Sequence, residues 1–155
     1  MKNALTQNSS ESALDKRKYT PGTFPKRVNT VTAAVLAGLL ESKTFTGMES
    51  VFKQSTTRLS AYVHYLETEY YWHIDRREIA TGTNDGRTTW IAEYWLPQET
   101  IAQAFEAGAR AWVDDVKAIR EKQRQQARKC KSEAARINAM LRKRDPRQSV
   151  LWGGL

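Results

Sequence analysis

At Tyr70-Tyr71-Trp72 the hydrophobic period of this chain changes from that of a helix to that of a strand, and at Pro97 it changes back. These two switches confine β structure to one hairpin with helices on either side. Ahead of the hairpin, residues 30–41 carry Val31, Ala34, Val35, Leu36, Leu39 and Leu40, the spacing of an amphipathic helix capped by Asn29 or Thr30. Met48, Val51 and Phe52 predict a second, short helix over residues 46–53. A polar break at Gln54-Ser55-Thr56-Thr57 leads into a third helix over 56–69, with Leu59, Val63 and Leu66 as its inward stripe and Tyr62 beside it.

Between the switches, residues 73–81 and 88–96 read as strands joined by Gly82-Thr83-Asn84-Asp85-Gly86-Arg87, in which Asp85-Gly86 is a strong hairpin signal. Ile74 and Ile79 fall on opposite parities, which predicts a bulge in the first strand. Trp90, Ala92, Tyr94 and Leu96 share one face of the second. From 98 to 144 the residues are almost all helix-forming, with Gly108 as the weak point and Pro146 as the stop. The expected fold is therefore mainly α with a small β-hairpin wing: a winged helix-turn-helix over 28–97, then a long basic helix over 98–145. Residues 1–27, rich in Asn, Gln, Ser, Thr and Lys, predict a disordered arm, and 146–155 a tail peptide.

The net charge of +8 suits a polyanionic partner, and its distribution is more informative than its total. Eleven Lys or Arg against two acids fall between Val116 and Arg144, so this one segment outweighs the whole chain's excess and leaves the rest near neutral. The longest apolar run, 31–40, is about half the ~20 residues of a membrane span. The N-terminus has no apolar signal region, so a cytoplasmic location is expected. The single Cys130 rules out an internal disulfide.

The stretches Gly47-Met48-Glu49-Ser50-Val51-Phe52, Thr57-Arg58-Leu59-Ser60-Ala61 and Ile91-Ala92-Glu93-Tyr94-Trp95-Leu96-Pro97 resemble the small winged helix-turn-helix proteins of proteobacterial phages and prophages. The resemblance spans residues 31–97. It departs from the pattern after the third helix, where Tyr71-Trp72 stands in place of a Gly-Trp pair. It implies a DNA-binding domain, with transcriptional regulation as the expected role and duplex DNA as the partner. The residues agree with that reading. With Leu59, Val63 and Leu66 inward, Thr57, Ala61, His64 and Thr68 face the other way, flanked by Arg58, Ser60 and Tyr65. Small side chains allow close approach, and the Thr, Ser, Arg and His groups offer donors and acceptors to base edges and phosphates. The wing adds Asn84 and Arg87 at its tip and Arg76 and Arg77 on its first strand as backbone or minor-groove contacts.

Downstream, Ile101, Ala104, Phe105, Ala109, Trp112 and Val116 form a stripe that packs on the wing or on a second copy in a homodimer. The heptad seam continuing through Gln123, Gln126, Cys130 and Glu133 is too polar for a continuous coiled coil. Arg120, Lys122, Arg124, Arg128, Lys129, Lys131 and Arg136 are the candidates for neutralising phosphates. In the tail, Gln148, Leu151 and Trp152 resemble the short bacterial sliding-clamp peptide, with Ser149 and Trp152 as departures, and suggest capture by a partner protein. An enzyme is not expected. Two histidines and one cysteine give no nucleophile set or zinc spacing, no Gly-rich phosphate loop is present, and no cofactor is implied. Two alternatives to the regulator stand: a protein-interaction scaffold acting through the C-terminal helix and the Leu-Trp tail, and a replication or packaging accessory with little sequence preference.

Overall fold

The computed structural model describes residues 19–47, 49 and 57–144. Most of the expected second helix (Met48, Val51, Phe52) and all of the tail (Gln148, Leu151, Trp152) lie outside the described residues. Among those described, the chain is mainly helical with a small three-stranded antiparallel sheet. In chain order these are α1 (Val31–Leu40), β1 (Phe45–Thr46), α2 (Leu59–Glu69), β2 (Asp75–Gly82), β3 (Thr88–Trp95), α3 (Gln98–Glu106), α4 (Ala109–Gln125) and α5 (Ala127–Arg144). The chain divides into two compact units after Ile119.

α1 starts where its cap predicts: the Thr30 hydroxyl accepts from the Ala33 amide at 3.2 Å. It is not amphipathic, however. Every residue from Thr32 to Leu40 is buried, so α1 is the central element of the first unit rather than a surface helix. The small residues Ala33, Ala34, Ala37 and Gly38 make this feasible, because they let neighbouring elements close on faces that a larger side chain would hold apart.

β1, which the sequence reading does not contain, pairs with β3 through Phe45↔Tyr94 and Thr46↔Glu93. The sheet order is β1-β3-β2. Two residues are too few to show a period, so only the partner strand defines β1. The β2–β3 ladder runs without interruption from Asp75↔Trp95 to Gly82↔Thr88, so the expected bulge is absent. Ile74 lies ahead of the ladder and is buried there together with Trp72. The parity conflict thus arises from residues in different segments. At the tip, the Gly86 amide donates to the Thr83 carbonyl and Gly86 adopts φ +80°. That is the left-handed position at which the Asp-Gly pair is favoured.

The long C-terminal helix is in fact three. Gly108, at φ +93°, separates α3 from α4, and a turn at Gln126 separates α4 from α5. The first break lies at the weak point of the sequence; the second has no glycine or proline to announce it. Ile101, Ala104, Ala109 and Val116 of the expected stripe are buried, with Val113, in the same core as Leu36, Leu66, Trp72 and Tyr94, and Phe105 and Trp112 pack against it partly buried.

Residues 19–27 are not a disordered arm. The Thr23 amide donates to the Tyr70 carbonyl at 2.8 Å, the Trp72 indole to the Thr23 carbonyl at 2.7 Å, and the Trp112 indole to the Pro25 carbonyl at 3.1 Å. Phe24 sits between the two indoles, with ring centroids 5.4 Å from Trp72 and 5.0 Å from Trp112. Polar composition predicts disorder only where there are no apolar anchors, and Phe24 and Pro25 supply them.

Candidate nucleic-acid interface

α2 turns its Leu59, Val63 and Leu66 into the core, each at most 2% exposed, and leaves its opposite face to solvent. Ser60, Ala61, His64, Tyr65 and Thr68 are all exposed on the helix. Thr57 and Arg58 are exposed too, but the helix begins at Leu59, so they precede its first turn. The side chain of the N-cap residue Arg58 makes no capping hydrogen bond. The 100° step places Ala61, His64 and Thr68 on one line. The Thr68 hydroxyl donates to the His64 carbonyl at 2.9 Å, which leaves its oxygen to act as an acceptor. Tyr65 meets Tyr70 edge-on at 5.5 Å. Burial, then the charge and hydrogen bond of Tyr65, then the charge of Glu69, push the Tyr70 phenol above its usual range, so it stays a neutral hydroxyl.

The hairpin arginines are less available than the sequence reading expects. Arg76 spans both oxygens of Glu67 at 3.1 and 3.2 Å. Arg77 bonds Glu93 at 2.7 Å and lies over the Trp95 ring at 5.4 Å. Arg87 bonds Asp85 at 2.8 Å, and this bond, with that from Thr83, lowers the Asp85 carboxyl. Asn84 is exposed at the tip. Asp75 pairs with His73 at 3.3 Å rather than with an arginine. Residues 57–95 carry four arginines against six acids, so α2 and the hairpin together offer no net positive field.

That field belongs to the C-terminal segment. Side chains 121–143 are exposed throughout. Arg124 lies 3.9 Å from Glu121, and Arg136 grips Glu133 at 2.6 and 3.0 Å. Burial, then the charge of Arg124, lowers the pKa of the half-buried Arg120. Among the described residues, Lys122, Arg128, Lys129 and Lys131 meet no carboxylate. Lys117, at the edge of this run, bonds Glu41 at 2.5 Å instead, within the first unit.

Two cations escaped the sequence reading. Lys26 and Arg27, within the expected arm, border an open cleft whose other lining includes Tyr65. Their signal was the Phe24-Pro25 anchor immediately before them.

Among the described residues no cluster of three or more His, Cys, Asp or Glu could hold a metal ion, and no helix is long and apolar enough to cross a membrane. No family model, curated protein or solved structure matches this chain.

Proposed function

We propose that this protein binds duplex DNA without catalysing a reaction, as a winged helix-turn-helix regulator of the kind found in phages and prophages. The observation that carries the reading is the exposed face of α2. Ser60, Ala61, His64, Tyr65 and Thr68 are solvent-facing, small or hydrogen-bonding, on a helix whose other face is locked into the core, and Thr57 and Arg58 are exposed just ahead of it. A rigid helix with such a face is what major-groove readout requires. The hairpin following directly after it and sharing its core supports the winged arrangement.

Charge assigns a second role. α2 and the hairpin are net acidic, so attraction to DNA falls to the Lys- and Arg-rich residues 117–144, and affinity and specificity come from different parts of the chain. The same imbalance favours one alternative, an accessory protein that binds duplex DNA with little sequence preference.

Selection of preferred sequences from random duplexes, followed by a salt series, tests the proposal. The full-length protein is expected to select a motif. Arg58→Ala with His64→Ala should abolish that preference while leaving low-salt binding intact. Replacing Lys122, Arg128, Lys129 and Lys131 by Gln should make the log–log salt slope shallower by roughly 3.6, at ~0.9 per neutralised phosphate. Steep salt dependence with no selected motif would replace the regulator by the accessory. Absence of binding at low salt would overturn both.

A further inference from the structure

Residues 23–27, the first turn of α1 and the C-terminal part of α2 line an open cleft of about 720 Å³. Lys26 and Arg27 are exposed on its lining, and among the described residues neither meets a carboxylate. Each arginine of the hairpin, by contrast, holds one. Thr32, also on the lining, is only 8% exposed and carries a hydroxyl that can donate. The Tyr70 phenol, neutral and hydrogen-bonded with Tyr65, is on the same lining, and no carboxylate lines the cleft. Two cations that meet no carboxylate, a threonine hydroxyl and a phenol on one lining together suit an anion with several oxygens.

Tyr65 decides which anion. It is 46% exposed and lies both on the cleft lining and on the outward face of α2. A duplex lying along that face would therefore carry its sugar-phosphate strand past the cleft. We infer that the cleft holds a backbone phosphate of the bound duplex, with Lys26 and Arg27 as its charged contacts and Thr32 as a hydrogen-bond donor. The docked segment 23–27, rather than the hairpin, then supplies the flanking backbone contact. This inference rests on the DNA-binding reading above.

The test is a salt series with the full-length protein on its selected duplex. Lys26→Gln with Arg27→Gln should make the log–log slope shallower by roughly 1.8 and leave the selected motif unchanged. Thr32→Val should lower affinity about tenfold at an unaltered slope, since it removes a hydrogen bond to a charged group and no charge. Arg110→Gln, a cation off the cleft lining, should leave both quantities as they are. Circular dichroism checks that each variant is folded. If the wild type binds a selected motif and the Lys26/Arg27 variant keeps the wild-type slope, the cleft is not the phosphate site and the DNA reading stands. If the wild type binds no duplex, both fall.

Discussion

The indole of Trp72 donates its N–H to the carbonyl of Thr23, 49 residues earlier in the chain and 2.7 Å away. Trp72 is 1% exposed and follows α2 directly, so this bond ties the N-terminal segment to the end of the helix that we propose reads DNA. Lys26 and Arg27 sit three and four residues beyond the tie, and their position depends on it.

Trp72→Phe keeps an aromatic ring but removes the donor and part of the volume. We expect a loss of about 2–3 kcal/mol in urea denaturation, from the lost bond and the cavity together. Trypsin should also cut faster after Lys26 and Arg27 in the native protein. Unchanged cleavage would mean that Phe24 and Pro25 hold the segment without the bond.

Gly22 allows this docking sterically. A Cβ there would lie 2.1 Å from the Tyr70 carbonyl oxygen and 2.8 Å from the Trp72 amide, and backbone atoms cannot swing aside. Gly22→Ala should therefore destabilise by about 1–3 kcal/mol, measured by chemical denaturation. Gly47, whose Cβ position meets nothing within 4 Å, should accept alanine without that clash and serves as the control.

Glu41 links the C-terminal end of α1 to α4. Burial alone would raise its carboxyl, but the hydrogen bonds and charges of Lys117 and Lys43 outweigh it and hold the group below the ordinary value of 4.5. A carboxyl lowered in the folded state contributes stability above its unfolded pKa and loses it as pH falls through the folded one. Glu41→Gln should accordingly lower Tm at pH 7, with the gap to wild type closing as pH falls below 4.5. Thermal unfolding at pH 7 and pH 3 measures it. A gap that persists at pH 3 would assign the effect to packing.

Tyr71 closes α2 at φ +59°, a left-handed conformation that a side chain disfavours, and its ring is 74% exposed. The Trp72 amide beyond it reaches back to the Leu66 carbonyl at 3.1 Å, so the turn is required. Tyr71→Gly relieves the strain at the cost of a more flexible unfolded chain, for a net gain of up to about 1 kcal/mol. A loss of stability would show that the ring makes contacts worth more than the strain.

Arg76 and Glu67 join β2 to α2 at the surface. With 58% of the arginine side chain exposed, a double-mutant cycle should return a coupling below about 1 kcal/mol. A much larger coupling would make the pair a structural clamp between hairpin and helix.

Much of the fold was legible in the sequence because its causes are local. The Thr30 cap, the Leu59-Val63-Leu66 stripe and the Asp85-Gly86 turn each act within a few residues and leave a periodic or conformational signature. The outward face of α2 follows from its inward one by helical geometry alone. The break at Gln126 carried no such signature, and the apparent bulge came from assigning Ile74 and Ile79 to one strand.

The sequence by itself determined the helices over 31–40 and 59–69, the hairpin and the concentration of positive charge in residues 117–144. Only the tertiary structure decided that α1 is buried on every side, that β1 joins β3, and that each hairpin arginine meets a carboxylate. It alone decided that Lys26 and Arg27 stand beside Tyr65, through bonds spanning 47 to 87 residues. Such contacts join segments whose local preferences carry no information about each other, because core packing and strand register bring them together.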